Sequence, residues 1–256
     1  MTDSSLFDLS RETVLVTGGG TGLGRGFART LAAAGARVIL CARRVEKLED
    51  VAAMIREAGG RAHCVPMDVT SSASVTAALA RAADIAPVTV LINNAGIVTD
   101  LLLHDLSEEQ WDSVVDTNLK GAWLVAREVV RQMIARGAGG AIVNIASVLG
   151  QSVQMGTGSY AAAKAGLIHL TRAMALEWAR YGVRVNAIAP GYYHTEMAAS
   201  FLESEYGQKL TRRIPQRRLG RSEDLDGAIL LLASRASAYM TGSVVTVDGG
   251  LSLSII

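Results

Sequence analysis

Residues 13–24 read TVLVTGGGTGLG, a β-branched run that passes directly into a glycine-rich turn. The run Thr13–Thr17 is typical of a buried parallel strand. Gly18, Gly22 and Gly24 permit a tight turn, and they let backbone N–H groups and the positive end of the following helix approach an anion. Their G-x-x-x-G-x-G spacing differs from G-x-G-x-x-G, and no Lys-Ser/Thr pair follows as in a P-loop. Its position between a first strand and a first helix predicts diphosphate binding rather than only a tight corner.

The rest of the chain alternates between strand-like and helix-like stretches. Strands are predicted at residues 37–41, 62–67, 88–92, 141–145, 183–187 and 244–247, and helices at residues 24–34, 45–58, 71–83, 108–136 (one long or two consecutive), 160–180 and 223–233. This alternation is typical of an α/β protein with a doubly wound parallel sheet and helices on both faces. We expect a single domain over residues 1–256. The long connection at about 190–221 is interpreted as a lid over a substrate.

Composition excludes several classes of function. The 256 residues are 50% hydrophobic with a formal net charge of +1, which fits a globular protein and argues against general nucleic-acid binding. Residues 1–5 lack the features of a signal peptide, and no apolar run approaches the ~20 residues of a membrane span. Cys41 and Cys64 lie in strand-like stretches, as expected of buried thiols in a cytoplasmic protein. The scattered histidines show no metal-ligand spacing, so no metal is expected.

A second chemical motif is the stretch SYAAAK at residues 159–164. Ser159 is predicted to cap a helix, which places Tyr160 and Lys164 one turn apart on the same face. A free phenol titrates near ~10, and a nearby ammonium group lowers the phenol pKa. A tyrosine tuned in this way can exchange a proton with a carbonyl or alcohol oxygen. Alone, the pattern more often means a packed tyrosine and a surface lysine, so other motifs must decide.

Together these motifs make the sequence resemble the short-chain dehydrogenase/reductase family over essentially the whole chain. The glycine turn has that family's T-G-x-x-x-G-x-G form, and Tyr160 and Lys164 match its Y-x-x-x-K. Further matches, in the family's order, are Asn93-Asn94-Ala95-Gly96, Asn118, Ser147 and Pro190-Gly191 with Thr195. The resemblance implies a Rossmann fold and an enzyme that moves a hydride between nicotinamide C4 and a carbonyl or secondary alcohol. Within the family, the chain resembles 3-oxoacyl-carrier-protein reductases and carbonyl reductases.

The resemblance implies catalytic roles for Asn118, Ser147, Tyr160 and Lys164. Ser147 would hold the substrate oxygen, and Tyr160 would give or take the proton there. Lys164 would lower the Tyr160 pKa and hold the nicotinamide ribose. Asn118 would kink its helix and fix a water that links Lys164 to solvent. The alternative for Ser147 and Asn118 is a simple capping role.

The resemblance also implies cofactor contacts. Asp68 would lie near the adenine amine, with helix capping as the alternative, and Thr195 and the backbone of Tyr193 would meet the nicotinamide carboxamide. The full predicted set is Gly18, Gly20, Thr21, Gly22, Leu23, Gly24, Arg43, Asp68, Val69, Asn94, Ala95, Gly96, Tyr160, Lys164, Pro190, Tyr193 and Thr195.

The end of the second predicted strand indicates which cofactor is used. NAD sites typically place an acidic side chain here to accept the ribose hydroxyls, but the sequence has Ala42, Arg43 and Arg44, with no carboxylate before Glu46. Arg43 occupies a position at which this chain resembles the NADP-preferring members of the family, which also have arginine there. A guanidinium can bind a 2′-phosphate bidentately. We expect NADP (NADPH) to be preferred, and NAD to be used as well if both arginines are only surface charges.

The expected substrate is a small carbonyl compound or alcohol, most simply a ketone, in a largely apolar pocket. The predicted substrate contacts are Ser147, Leu149, Met155, Tyr160, Tyr192, Met197 and Phe201, with Val98 and Tyr206 as further candidates. A 3-oxoacyl-carrier-protein reductase and a sugar or polyol dehydrogenase are alternatives, and a non-catalytic dinucleotide sensor is a remote one. Carrier docking uses two basic positions in the family. Tyr181 stands at one of them, and Arg136 could fill the other.

The chain is also expected to assemble with copies of itself. Residues 112–136 and 160–180 are rich in alanine and apolar residues, and the family commonly packs the equivalent helices against a second subunit. The terminal residues 251–256 are apolar for an exposed tail. We expect a homotetramer with 222 symmetry, with a dimer as the fallback, and neither a nucleic-acid nor a membrane partner.

Overall fold

The computed structural model describes residues 6–194 and 205–253, without the side chains of residues 205 and 206. Its strands are β1 (Thr13–Thr17), β2 (Arg37–Ala42), β3 (Arg61–Pro66), β4 (Val90–Asn93), β5 (Gly140–Ile145), β6 (Val183–Pro190) and β7 (Val244–Val247). They form one parallel sheet in the order β3-β2-β1-β4-β5-β6-β7. The predicted strands are all present, and β6 is longer than predicted because residues 187–190 pair with β7.

Helices pack against this sheet. In the described residues they are α1 (Gly22–Ala33), α2 (Val45–Glu57), α3 (Ser72–Ile85), α4 (Glu108–Val115), α5 (Gly121–Ala135), α6 (Gly158–Trp178), α7 (Glu205–Arg213) and α8 (Asp226–Ala233). A π turn at Asp116–Lys120 joins α4 to α5, where the sequence predicted one or two helices. α7 lies inside the predicted connection 190–221. Its sequence, EYGQKLTRR, is strongly polar and holds only two large apolar residues, so its amphipathic pattern is too short to be recognised as a helix.

Two hydrophobic cores lie on opposite faces of the sheet, because side chains alternate along each strand. Val14 and Val16 of β1 belong to one core, with Phe27 of α1. Leu15 points the other way into the second core, with Val129 of α5. These five side chains are fully or almost fully buried. The doubly wound α/β fold predicted from the alternation is therefore confirmed.

The order of the strands reverses at β1. β1 pairs with β2 on one side and with β4 on the other, so the chain leaves the carboxyl ends of β1 and β4 in opposite directions along the sheet. In open α/β sheets such a switch point opens a crevice at the carboxyl ends of the strands. The glycine turn after β1 and the segment Asn93–Gly96 after β4 both lie at this crevice.

A network of buried amides ties the two central strands to the helices beside them. Asn93 Nδ2 donates to Asn144 Oδ1 at 3.0 Å and to the Ala122 carbonyl at 2.9 Å. Asn144 Nδ2 donates to Thr171 Oγ1 at 2.9 Å, and Thr171 Oγ1 donates to the Leu167 carbonyl at 2.8 Å. Asn93, Asn144 and Thr171 are all buried, so each unmade bond would leave a polar atom away from water.

The start of α6 differs from the prediction. Thr157 occupies the N-cap position and Gly158 is already helical. Ser159 is therefore inside the first turn, fully buried, and its Oγ finds no hydrogen-bond partner in the described part of the chain. The prediction that Ser159 caps the helix is wrong, but Tyr160 and Lys164 still lie one turn apart on α6.

The cysteines and the membrane prediction can be compared with the structure directly. Both cysteines are free thiols; Cys41 is buried as predicted, whereas Cys64 is partly exposed. Within residues 6–194 and 205–253, no helix is both long and apolar enough to cross a bilayer.

The buried network predicts a stability effect. Thr171→Val keeps the shape of the side chain but removes the acceptor of Asn144 Nδ2, and leaving a buried donor unpaired costs roughly 1–3 kcal/mol. We expect a loss of that size in the free energy of unfolding, measured by urea denaturation. Thr76→Val, at an exposed position of α3, is the matched control and should change it by no more than about 0.5 kcal/mol. Equal effects of the two substitutions would contradict the role of the network.

Candidate active site

The glycine turn approaches β4 more closely than any side chain would allow. Gly18 and Gly22 have φ angles of 65° and 51°, a region that favours glycine. A Cβ at Gly18 would lie 2.9 Å from Asn94 Nδ2, and one at Gly24 would lie 2.2 Å from the Gly18 carbonyl oxygen. Gly24 therefore lets α1 pack against the turn, and it does not line the cavity described next.

Hydrogen bonds lock the turn to the segment after β4. Thr17 Oγ1 accepts from the backbone N–H groups of Asn94 at 3.0 Å and Ala95 at 3.1 Å. In return, Asn94 Nδ2 donates to the carbonyls of Thr17 at 2.9 Å and Gly18 at 3.2 Å. The two segments thus form one rigid rim, and the sequence had not indicated the part that Thr17 plays in it.

A cavity of about 630 Å³ opens along this rim at the carboxyl ends of the strands. Most of the predicted site residues line it. Those present are Gly18, Gly20, Thr21, Gly22, Leu23, Arg43, Asp68, Val69, Asn94, Ala95, Gly96, Asn118, Ser147, Leu149, Tyr160, Lys164, Pro190, Tyr192 and Tyr193, together with Val98 and Arg44.

A group of cationic side chains marks one end of the cavity. Arg43 and Arg44, just after β2, line it together with Lys47 from the first turns of α2, and all three are exposed. A Cβ at Gly20 would lie 3.0 Å from Lys47 Cβ, so the turn and α2 are in contact. The sequence gave no indication of Lys47, because its approach depends on how α2 packs. At Asp68, hydrogen bonds from Thr70 hold the carboxyl pKa below its usual value, with a smaller contribution from the Arg43 charge.

Three predicted catalytic side chains meet on the wall formed by β5 and α6. Ser147 follows the end of β5, and its Oγ accepts from the Leu149 N–H at 3.1 Å. Lys164 Nζ donates to the Ile145 carbonyl at 2.8 Å and lies 5.5 Å from the centroid of the Tyr160 ring. The lysine is thus held by the strand backbone, beside the tyrosine.

The pKa of Tyr160 does not follow the expected direction. Burial raises it above the ordinary value, and the hydrogen bond with the Ser147 side chain only partly opposes that effect. Burial also lowers the pKa of Lys164 to about 8. The predicted lowering of the Tyr160 pKa by Lys164 is therefore not a property of this site by itself, because burial disfavours both charged forms.

Asn118 lies in the π turn between α4 and α5. Its Nδ2 donates to the carbonyls of Ile97 at 2.8 Å and Val114 at 2.9 Å. Its Oδ1 is buried and accepts no hydrogen bond from the described residues. A Cβ on Gly96 would lie 2.6 Å from Asn118 Oδ1 and 3.6 Å from Lys164 Nζ. Gly96 therefore leaves room for a small donor, such as water, between these two polar atoms.

The predicted substrate side is only partly assembled as expected. Val98, Leu149 and Tyr192 line the cavity, but Met155 is 78% exposed and is absent from the wall, because it lies on the surface of the loop before α6. Thr195, Met197 and Phe201 fall outside the described residues, as does the Tyr206 side chain.

Two polar side chains on this side were not predicted. Asp100 and Gln154 both line the cavity. They come from irregular segments without a periodic pattern, so nothing in the sequence showed where they would point. The Tyr192 hydroxyl donates to Gln154 Oε1, and burial, with a contribution from Tyr160, raises the pKa of Tyr192 to about 12. The neighbouring Tyr193 is buried and donates to the Val247 carbonyl at 2.8 Å, which anchors the end of β6.

This constellation is that of a nicotinamide-dependent oxidoreductase on a Rossmann fold. The sequence matches the family model described as short chain dehydrogenase over residues 12–205. The chain belongs to the short-chain dehydrogenase/reductase family, as its motifs predicted.

Similar proteins include some that are named for a polyhydroxylated compound. The chain is 39% identical to gluconate 5-dehydrogenase of Gluconobacter oxydans (strain 621H) over the full length of both chains. It is 41% identical to galactitol 2-dehydrogenase (L-tagatose-forming) of Cereibacter sphaeroides, over 97% of this chain and 98% of that one. Among solved structures, gluconate 5-dehydrogenase of Burkholderia cenocepacia J2315 in complex with NADP and tartrate superposes with a TM-score of 0.95 at 37% identity, covering 98% and 99% of the two chains.

The buried lysine predicts a pH effect on stability. With a folded pKa of about 8 against 10.5 for the free group, the unfolded chain binds more protons between those values. Stability should therefore rise as the pH increases through this window. Below this window the buried Lys164 ammonium lowers the free energy of unfolding by roughly 3 kcal/mol, because each unit of pKa shift corresponds to 1.36 kcal/mol.

Lys164→Met should remove this penalty from the cofactor-free protein. Allowing about 1 kcal/mol for the lost hydrogen bond to Ile145, we expect the variant to be about 2 kcal/mol more stable at pH 7. The difference should shrink by pH 9.5, measured by urea unfolding at fixed protein concentration. Lys120→Met, at an exposed lysine, should show no such pH dependence. A Lys164→Met variant that is less stable at pH 7 would contradict the burial penalty.

Proposed function

We propose that this protein is an NADPH-dependent reductase of ketones, working reversibly on secondary alcohols. The observation that carries the proposal is the meeting of Ser147, Tyr160 and Lys164 on one cavity wall, with the glycine turn facing the same cavity. Bound there, a nicotinamide would supply or accept the hydride. Gly18, Gly20 and Gly22 line the cavity, and together with the cations at its far end they fit such a dinucleotide.

The protein's own groups handle the proton at the substrate oxygen. The Ser147 hydroxyl holds that oxygen, and the Tyr160 phenol, which lines the same wall, gives it a proton or takes one. Because burial keeps the phenol protonated, Tyr160 is suited to act as the acid in ketone reduction. Lys164 carries charge beside it. Asn118 Oδ1, which has no hydrogen-bond partner among the described residues, can hold a water that returns protons to Lys164.

Tyr160→Phe tests this chemistry directly. It removes only the hydroxyl, so turnover of any ketone should fall by at least a thousandfold, within the range of general acid catalysis and its positioning. The affinity for NADPH, from fluorescence titration, should stay within a few-fold. Tyr239→Phe, at a fully exposed tyrosine, is the control. Substantial residual kcat in Tyr160→Phe would exclude Tyr160 as the acid.

The choice of NADP rests on the cationic end of the cavity. Ala42 offers no carboxylate to the ribose, whereas Arg43, Arg44 and Lys47 surround the same end. A single charge-assisted contact is worth roughly 1.5–3 kcal/mol, which is about ten- to a hundredfold in preference.

The double variant Ala42→Asp with Arg43→Leu should move the preference toward NADH, through KM more than kcat. The decisive measurement is kcat/KM for NADPH and NADH in the unmodified protein and in the variant. Lys47→Leu should weaken NADPH binding by about tenfold and leave NADH binding nearly unchanged. If the unmodified protein prefers NADH, the assignment is wrong.

Of the alternatives, a sugar or polyol dehydrogenase has the stronger support. The named relatives include enzymes of gluconate and galactitol, and polar side chains line the substrate side. Carrier docking has less support. Arg136, the candidate for one docking position, already donates to the Val88 carbonyl at 2.8 Å. At the other position stands the uncharged Tyr181, and the neighbouring Arg180 stacks on its ring at 4.7 Å. A non-catalytic sensor would need none of the proton-transferring side chains.

We place the enzyme in the cytoplasm, and we assign residues 190–221 to a lid over the substrate.

The assembly is proposed to be a homotetramer through the faces of α4, α5 and α6. Trp111, Trp123 and Leu176 on these helices are 39%, 38% and 83% exposed. Light scattering at micromolar concentration should give four times the mass of the chain. Leu176→Glu should reduce that mass, whereas Met54→Glu on α2 should not. A stable monomer of the unmodified protein would refute this assembly.

A further inference from the structure

Gln154 lines the same cavity as the catalytic side chains and takes no part in the chemistry proposed above. Its carbonyl accepts from the Thr157 N–H at 3.3 Å and from Thr157 Oγ1 at 3.0 Å, and Thr157 is the N-cap residue of α6. In the same loop, the Gly156 carbonyl accepts from the Leu101 N–H at 3.0 Å, which pairs this loop with the loop after β4. Gln154 is therefore attached to the start of the helix that carries Tyr160.

The Gln154 amide is oriented by Tyr192, which follows the end of β6. The Tyr192 backbone is held in place, because its carbonyl accepts from the Gly220 N–H at 2.9 Å. The Tyr192 hydroxyl donates to Gln154 Oε1, so the acceptor end of the amide is already in use. The other end, Nε2, carries two N–H donors, and no described residue accepts a hydrogen bond from them. The side chain thus offers the cavity a donor whose orientation is fixed.

This donor lies on the substrate side, near the groups that act on the reacting oxygen. Ser147 and Tyr160 line the same cavity as Gln154 and Tyr192. Burial raises the pKa of Tyr192, and the charge of Tyr160 adds to that rise, an effect that weakens with distance. The hydroxyl that holds the amide is therefore within electrostatic reach of the phenol that transfers the proton. A substrate bound to Tyr160 through its reacting oxygen brings the neighbouring carbons toward this amide.

We propose that Gln154 determines specificity by donating a hydrogen bond to a second oxygen of the substrate, near the reacting carbon, and that Tyr192 is the positioning residue for this amide. The favoured substrates are then hydroxylated ketones and the corresponding diols. An apolar substrate group placed against the amide would take away its hydrogen bonds to water without replacing them. This inference rests on the proposed oxidoreductase function and names its substrate class.

The test compares alcohols with and without a second hydroxyl, using NADP⁺. 2,3-Butanediol is paired with 2-butanol, and the positional isomers of cyclohexanediol are paired with cyclohexanol. In the unmodified protein, kcat/KM of the best diol should exceed that of its mono-alcohol by at least about fivefold, the size of one neutral hydrogen bond. Gln154→Met should lower this ratio by about fivefold. Gln154→Glu should lower it as well, since it keeps the shape and the acceptor for Tyr192 but lacks the donor.

The positioning role of Tyr192 has a readout of its own. Tyr192→Phe should lower the ratio of diol to mono-alcohol by about threefold in the unmodified protein, because the amide is no longer held. In the Gln154→Met protein the same substitution should leave the ratio unchanged, because the hydroxyl acts through the amide. Gln151→Met, at an exposed glutamine of the same loop outside the cavity wall, is the matched control and should not alter the ratio.

Several results would overturn the inference. Mono-alcohols used as well as the diols would do so, as would a best alcohol that carries no second oxygen. A ratio unaltered in both Gln154 variants would also refute it, and so would a loss of NADPH binding in both, which would assign Gln154 to the fold or the cofactor. Additive effects of the Tyr192 and Gln154 substitutions would exclude the positioning role.

The proposed function fails in a different way. In that case the unmodified protein binds NADPH but turns over no alcohol or ketone, and the substrate class falls with it.

Discussion

The hydrogen bonds between Asn94 and the end of β1 are the constraint on which the site depends. They hold the glycine turn against the segment after β4, at the place where the strand order reverses. The glycines at 18 and 24 allow this approach because any Cβ there would overlap the bonded atoms. The rim of the cavity and the start of α1 are thereby fixed relative to β5 and α6, which carry the serine, tyrosine and lysine.

The same region concentrates unfavourable burial. Among the described residues, the buried Lys164 donates only to the Ile145 carbonyl, and Asn118 Oδ1 has no hydrogen-bond partner. Burial also keeps Tyr160 neutral. Elsewhere, buried amides such as Asn144 use both kinds of atom. Functional sites commonly carry such local costs, which the rest of the fold must offset. The two large cores on either face of the sheet supply that stability.

What the sequence predicted correctly was encoded by short-range patterns. β-branched runs located the strands, and the glycine spacing located the turn, since both follow from local backbone preference. The features it missed depend on tertiary packing: Lys47 approaches through the docking of α2, and Asp100 and Gln154 approach through paired loops. Met155 was wrongly assigned to the pocket because hydrophobic character alone cannot tell a wall from a surface. The Tyr160 pKa was misjudged because burial is invisible in a sequence.

The π turn at residues 116–120 has a consequence for how this chain can vary. A π turn holds one residue more than an α turn, so removing a residue there would restore an α-helix while the helix after it keeps its register. Ala122 would still present its carbonyl to the Asn93 amide, but Asn118 would lose the wide turn from which it reaches the Ile97 carbonyl. A deletion of one residue in this turn would therefore preserve the packing of α5 and displace Asn118 from the site.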